Sequence, residues 1–285
     1  MKILYLQNGM HHKNHHAIMH YRNIQLHTIF KPEDLDSIDL AQFYCVYSPT
    51  TPINASKYPA TKFIFGPHFS VFPVEHQMNV IKSPNAIYIQ PSEWAAQVWK
   101  DNVLCKNIRI ETVPFAVDID KFHNSSKEKT HVFVYYKRRL PDEFNFVANA
   151  LKNLNIDFVF FNYGNYSESD YLDVLQKSKF GIILDAHESQ GFAIEEALAC
   201  NVPLLVWNVT SMNQEFKSKY SNISATTIPY WDERCGEFFY KKDEFIETFQ
   251  RFLSKLNTYN PREFILETLT EDICEKKLIE IVEKM

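Results

Sequence analysis

Short apolar runs rich in β-branched and aromatic residues recur along the first half of the chain, at 3–6, 27–30, 43–47, 63–65, 87–89 and 108–113. Most are separated by polar or amphipathic stretches long enough for a crossover helix, such as 92–102. Strands and helices alternating on this rhythm predict an open parallel sheet. The segment 123–130 (HNSSKEKT) has no apolar residue and reads as a linker. Beyond it the rhythm restarts, with strands predicted at 132–136, 158–161, 181–184 and 203–207 and helices at 141–154, 167–177 and 190–200. That is a second α/β unit of the doubly wound type. The tail is predicted helical. Asn260-Pro261 supplies a cap residue followed by proline at the first helical position, and Ile273, Leu278, Ile281, Val282 and Met285 recur on one face of the last segment, which must pack on something.

Composition narrows the class. A 285-residue chain suits two α/β domains of ordinary size, and 45% hydrophobic with 23% charged residues is the balance of a globular protein with a real core. A net charge of −5 gives no global footprint for gripping a polyanion such as nucleic acid. No apolar run approaches the roughly 20 residues of a membrane-spanning helix, and a cytoplasmic protein is expected. Five scattered cysteines without a CxxC pair suggest neither a disulfide framework nor a zinc site. His11, His12, His15 and His16 invite a metal reading, because an i, i+4 histidine pair on a helix can chelate. No nearby Asp or Cys completes a site, so they read better as an exposed loop and helix start.

The densest candidate chemistry lies at 187–203, HESQGFAIEEALACNVP. The apolar run 181–184 leads through Asp185-Ala186-His187 into a loop and then a strong helix-forming stretch, with the helix start expected near Ser189 or Gln190. Its first N–H groups would lie at the carboxyl end of a parallel sheet, where their partial positive charge suits a diphosphate, and Gly191 would let backbone approach a ligand closely. Glu188 precedes the helix and Glu196 stands about two turns inside it, far enough apart to touch different parts of one elongated ligand. Carboxylates accept hydrogen bonds from hydroxyls, so sugar and ribose are natural partners. Alternatively, Glu188 caps the helix and Glu196 is an exposed or ion-paired helix residue.

The E-x7-E spacing within ESQGFAIEEALACNVP resembles the signature of retaining family 4 glycosyltransferases of the GT-B class. A second stretch, IYIQPSEWAAQVW at 87–99 followed by IRIETVPFAVDIDKF at 108–122, is similar to that family's "PS" helix and interdomain segment. The resemblance implies two Rossmann-like α/β domains (GT-B) facing a central cleft, with a C-terminal helix crossing back to the N-domain. The boundaries expected are 1–125 for an acceptor-side domain, 126–262 for a nucleotide-sugar-binding domain, and 263–285 for helices packing back. It further implies that Glu196 bonds the ribose and Glu188 the donor sugar or diphosphate, while Ser189, Gln190, Gly191 and Phe192 offer backbone N–H groups to the phosphates. The chain departs from the pattern at Gln190, often Phe, at Phe192, usually aliphatic, and at Asn201, usually glycine; Asn tolerates the left-handed conformation of a helix end.

In that family an Arg and a Lys follow the first strand of the second domain, and here the strand runs into Lys137-Arg138-Arg139. In extended chain Lys137 and Arg139 point the same way, which makes them the expected diphosphate clamp with Arg138 as fallback, against the alternative of a solvated basic turn. The family's usual lysine a little further on is absent, with Glu143 nearby. His68, in FGPHF, occupies a place where the family often has a histidine facing the reacting sugar; a packed or solvent-facing loop histidine is the alternative. Asn8 and Gly9 end the first strand, where a turn borders donor phosphates or acceptor. Gly164, in Tyr163-Gly164-Asn165-Tyr166, suggests a tight turn bordering the nucleotide base or a purely structural one. The expected activity is sugar transfer from a nucleoside diphosphate sugar to an acceptor hydroxyl with retention at the anomeric carbon, without metal or other cofactor. The alternatives are a GT-B nucleotide-sugar 2-epimerase and a non-catalytic nucleotide-sugar-binding protein. The acceptor stays open among glycan, protein, lipid and DNA, with the acidic charge arguing against DNA.

Overall fold

Strands buried on both faces read as continuous apolar runs, and that is how the first half folds. In the computed structural model, which describes residues 1–285, these runs become β1 (Lys2–Leu6), α1 (His12–Met19), β2 (Gln25–Ile29), β3 (Cys45–Ser48), β4 (Phe63–Phe65), α2 (Glu75–Ile81), β5 (Ala86–Gln90), α3 (Glu93–Lys100) and β6 (Arg109–Thr112). Every residue of β3, β4 and β5 is buried. The six strands form one parallel sheet in the order β2-β1-β3-β4-β5-β6. Helix α3 buries Ala95, Ala96 and Trp99, and the indole stacks on Tyr88 with ring centres 4.1 Å apart. Full burial of one such aromatic stabilises by about 1.5–3 kcal/mol.

The second half contributes β7 (His131–Lys137), α4 (Pro141–Asn153), β8 (Val159–Asn162), α5 (Glu168–Lys177), β9 (Ser178–Asp185), α6 (Phe192–Ala199), β10 (Leu204–Trp207), β11 (Gly236–Phe239), α7 (Phe245–Ser254) and α8 (Pro261–Thr268). Their sheet is parallel in the order β11-β10-β9-β7-β8. The helix starts follow local chemistry. Pro141 takes the first position of α4, and the Ser167 hydroxyl accepts from the Asp170 amide at 3.1 Å to open α5. The strand β11 and helix α7 lie outside the elements that the apolar pattern predicts. The strand is a four-residue edge, but α7 carries a legible signal, since Phe245, Thr248, Phe249 and Phe252 are buried at helical spacing.

Contacts divide the chain into two compact units, 1–116 with 269–285, and 117–268, rather than at 125/126 and 262/263. The expected linker is part of unit 2, tied down by Lys127 bonding Asp173 (3.2 Å) and Gln176 (2.9 Å). Helix α8 also stays in unit 2, because the Arg262 guanidinium donates to the carbonyls of Phe122 (3.0 Å), Ala199 (2.6 Å) and Ile119 (3.3 Å). The last helix, α9 (Glu271–Glu283), belongs to unit 1. It buries Cys274, Leu278, Ile281 and Val282, along with Glu275, whose carboxylate, 1% exposed, accepts from the Asn23 amide (2.6 Å), the Asn23 side chain (2.9 Å) and the Ile24 amide (2.9 Å). Lys62 and Arg109 donate to the carbonyls of Val282 (2.9 Å) and Lys284 (3.1 Å), cations placed where a helix C-terminus favours them. All five cysteines are buried free thiols. No helix is long and apolar enough to cross a membrane.

Candidate functional site

Open parallel sheets bind ligands outside the carboxyl ends of their strands, where the strand order reverses. In unit 2 the reversal falls between β7 and β9. Lys137 ends β7, Asp185 ends β9, and the two are register partners. Three ionisable groups converge there. The Lys137 ammonium contacts the Glu188 carboxylate, lies 3.9 Å from Asp185 Oδ2, and sits over the Tyr163 ring 4.6 Å from its centre. Asp185 is 2% exposed, accepts from the Ala186 amide at 2.7 Å and shares a hydrogen bond with Glu188.

The charge states follow from burial set against neighbours. Burial drives the Asp185 carboxyl well above the usual carboxylate range, with Glu188 pushing the same way and Lys137 opposing. Burial would raise Glu188 too, but the Lys137 ammonium and the Asp185 hydrogen bond outweigh it and hold this carboxyl below its ordinary value. For Lys137 burial acts downward, and the two carboxyls overcome it, so the ammonium is held above its normal range. Two hydrogen-bonded carboxyls share a proton, and these opposite directions place it on Asp185, leaving the negative charge on Glu188 beside the Lys137 ammonium. A multiply charged anion arriving there finds a cation already in place.

The loop after β9 is braced from the far side. The Glu188 amide donates to Thr226 O (3.0 Å), Thr227 Oγ1 to Ala186 O (2.7 Å), and Asn208 Oδ1 accepts from Thr226 Oγ1 (3.0 Å) and the Thr227 amide (2.8 Å). Helix α6 starts at Phe192, later than Ser189 or Gln190. The reason is Gly191, which adopts φ +93° as the cap residue. A Cβ there would meet the protein's own Glu188 and Pro229 only at an ordinary 3.7 Å, so within the chain it is the left-handed backbone, not crowding, that calls for glycine. The amides of a first helical turn lie outside the helix's own ladder, and those of α6 begin beside the cluster. The later start puts Glu196 four residues beyond Phe192, about one turn inside the helix instead of two. Glu196 is buried, against the alternative of an exposed helix residue. The Gln190 side chain is buried as well, donating to Glu195 at 2.9 and 3.1 Å. At the helix end Asn201 has φ +58° and accepts from the Arg262 amide at 3.2 Å, as a left-handed terminus requires.

Of the three consecutive basic residues only Lys137 joins the cluster. Arg138 has φ +53°, which breaks the strand alternation on which the pairing of Lys137 with Arg139 rests. Its own side chain is half exposed and reaches Glu215 at 3.4 Å. Arg139 turns inward and is 1% exposed. It makes a two-point pair with Glu143 (2.7 and 2.6 Å) and donates to the carbonyls of Trp207 (3.0 Å) and Asp185 (3.3 Å). It ties the ends of β9 and β10 together from beneath, and Glu143 is its partner. The turn after β8 brings Tyr163 over Lys137, with Gly164 at φ +81° next to it.

In unit 1 the strand order reverses between β1 and β3. Asn8 and Gly9 follow β1 there, facing the loop after β3. The Thr50 hydroxyl donates to Asn8 O, and the Asn8 amide group to Thr51 Oγ1 at 3.4 Å. His68 follows β4, its amide donating to Pro49 O at 2.9 Å and its ring 6.5 Å from that of His11. Burial, with His11 adding, lowers the His68 imidazole to about 4, so it is neutral at pH 7, and its Nδ1 is buried without a hydrogen-bond partner. His11 lies against His12, His16 stacks on His20, and His15 Nδ1 bonds Tyr5 at 3.1 Å. No three metal-ligating side chains gather around a common point.

The chain is similar in fold to several solved structures. The lipopolysaccharide outer core galactosyltransferase WaaB, in its apo form, superposes with a TM-score of 0.57 at 14% identity, covering 100% of both chains. The N-terminal domain of Candida albicans trehalose-6-phosphate phosphatase gives 0.54 at 9% identity over 99% of this chain and 96% of that one. Sucrose-phosphate synthase from Thermosynechococcus elongatus gives 0.51 at 9% identity over 85% and 74%. The fold is GT-B. At such identities the likeness is one of fold alone. No protein-family model matches the sequence, and comparison with curated proteins gives no match.

Asp185, Tyr163 and the brace of Asn208, Thr226 and Thr227 gather at this candidate site without having been assigned to it from the sequence. For Asp185 a signal existed. An acidic residue closing a strand that is otherwise apolar is expensive to bury unless it is partnered. The brace had none, because its residues come together only through the loop after β10.

Proposed function

We propose that this protein is a glycosyltransferase that moves a sugar from a nucleoside diphosphate sugar to an acceptor hydroxyl with retention of anomeric configuration. The observation that carries the reading is the meeting of Lys137, Glu188 and the start of α6 at the strand-order reversal of unit 2, with Glu196 buried about one turn inside that helix. The departing diphosphate would be stabilised by the Lys137 ammonium and the first-turn amides of α6, a preorganised electrostatic site in which this chain's own groups, rather than a bound ion, supply the positive charge. Glu196 is assigned to the ribose hydroxyls and Glu188 to the donor sugar. Ser189, Gln190, Gly191 and Phe192 supply main-chain donors, and Gly164 shapes the turn that carries Tyr163. Arg139 acts by holding the ends of β9 and β10, not by touching the diphosphate. From unit 1 the reading takes Asn8, Gly9 and His68, whose neutral imidazole can donate to or accept from a sugar hydroxyl.

Thermal-shift measurements against UDP-, GDP-, ADP- and TDP-sugars test the donor class, because a ligand that binds only the folded chain raises its melting temperature by mass action. One base is expected to stand out, and Glu196→Gln is expected to abolish turnover while the melting temperature of the free protein is kept. NMR of the product's anomeric proton then reads retention. A donor altered in the absence of any acceptor hydroxyl other than water, without hydrolysis, would replace transfer by isomerisation. Full turnover in the Glu196→Gln variant would remove Glu196 from the site.

A further inference from the structure

We infer that Asp185 is a positioning residue of the donor site, holding Lys137 and Glu188 so that the ammonium, engaged by Glu188, passes to an incoming diphosphate. The inference rests on the reading of unit 2 as a nucleoside diphosphate sugar site. Asp185 belongs to neither end of the E-x7-E pair, yet it touches both charged groups of the cluster. It shares a hydrogen bond with Glu188 and stands 3.9 Å from the Lys137 nitrogen. It is also fixed more firmly than either. Its side chain accepts from the Ala186 amide at 2.7 Å, and its carbonyl accepts from Arg139 and from the Thr227 hydroxyl, both at 3.3 Å. Lys137 and Glu188 each retain some exposure, so they can rearrange around a fixed Asp185.

The chemistry explains why an acid suits this place. Two ionised carboxylates beside a diphosphate would repel it, whereas one protonated carboxyl, donating to Glu188, adds no negative charge and still directs that group. When the diphosphate takes the ammonium, Glu188 loses its counterion and keeps the Asp185 hydrogen bond. It is left ionised beside the sugar hydroxyls assigned to it. Glu188 thus competes with the diphosphate for Lys137 before the donor binds.

Calorimetric titration of UDP, GDP, ADP and TDP into the full chain and its variants tests this. Glu188→Gln removes the resident counterion and is expected to tighten binding of the preferred nucleoside diphosphate about five- to tenfold while lowering kcat, opposite signs that a merely structural lesion does not produce. Asp185→Ala is expected to weaken binding at least about tenfold, and Asp185→Asn, which keeps a neutral donor and an acceptor in place, to recover most of that loss. The melting temperature of each free variant separates misfolding from misplacement, and the folded Asp185→Asn variant keeps the comparison readable if Asp185→Ala unfolds. Binding by the wild type with no tightening in Glu188→Gln, or with Asp185→Asn as impaired as Asp185→Ala, overturns the positioning role alone. No binding of any nucleoside diphosphate to the wild type or to Glu188→Gln overturns the donor reading beneath it.

Discussion

The two units solve one topological problem with different chemistry. Each is a parallel sheet whose strand order reverses once, between β1 and β3 in unit 1 and between β7 and β9 in unit 2. In unit 1 the loops at the reversal are lined by neutral groups, Asn8, Gly9, Thr50 and Thr51, which bond chiefly one another. In unit 2 the same position holds Lys137, Asp185 and Glu188. A crevice that must hold a diphosphate needs a fixed cation and donors. One that must accept a hydroxyl-bearing ligand can be built of amide and hydroxyl groups alone. The fold supplies the place twice, and the residues at the strand ends decide which task each copy can take.

The sharpest way to break that division is to remove the cation. Lys137→Ala is expected to lower donor turnover by about 10²–10³-fold, the range seen when one charge-stabilising group is lost from a preorganised site. Asn8→Ala, at the corresponding place in unit 1, is expected to change nucleoside diphosphate affinity by less than about fivefold. Steady-state kinetics with the preferred donor, paired with calorimetry of the nucleoside diphosphate, reads both. An equal loss of diphosphate affinity in the two variants would mean that the neutral crevice binds the anion too.

Much of this was readable in advance, and the failures are instructive. Both sheets and nearly all their strands follow from apolar runs, because strands covered on both faces must be apolar throughout. The charged cluster was readable at Lys137 and Glu188, which lie within or beside segments whose periodicity fixes a strand or helix. It was misread at Arg139, because a single left-handed residue, Arg138, reverses the direction in which the next side chain points, and no propensity places a non-glycine residue there with certainty. The helix start was misplaced for the same reason at Gly191. Residues 224–228, which brace the site across about forty positions of sequence, left no periodic trace. Local pattern fixes elements, and non-local contacts fix where their ends point.

The reassignment of Arg139 gives the next test. Its guanidinium is buried against Glu143, Trp207 O and Asp185 O, so Arg139→Met removes one partner of a buried pair and is expected to destabilise unit 2 by about 3 kcal/mol in urea unfolding. Arg138→Ala, which removes a half-exposed guanidinium reaching Glu215 only at 3.4 Å, is expected to cost less than about 1 kcal/mol. If Arg139→Met unfolds at the wild-type midpoint yet loses diphosphate binding, Arg139 returns to the clamp and Asp185 loses one of its anchors.

The smallest expected effect compares the units through pH. Burial lowers His68 in unit 1 and His187 in unit 2 to about 4, from 6.5 in the unfolded chain. Below pH 6.5 the unfolded chain therefore takes up protons that the folded chain refuses. Stability is whole above 6.5 and falls on acidification, with the loss complete near pH 4 and worth on the order of 1–3 kcal/mol per ring. His68→Gln and His187→Gln should each flatten that slope, and only in the unit that carries the change, when unfolding is followed by hydrogen exchange of each sheet. Asp185 works with the opposite sign. A carboxyl that stays protonated when buried is most favourable to folding below its unfolded value of 3.8, and it becomes a burden as pH rises. Unit 2 thus carries opposed pH terms at His187 and Asp185, and Asp185→Asn should steepen the rise of unit 2 stability with pH while leaving unit 1 as it was. Equal slopes in both units, before and after that substitution, would mean that Asp185 ionises freely and that the neutral acid at the strand end is not there.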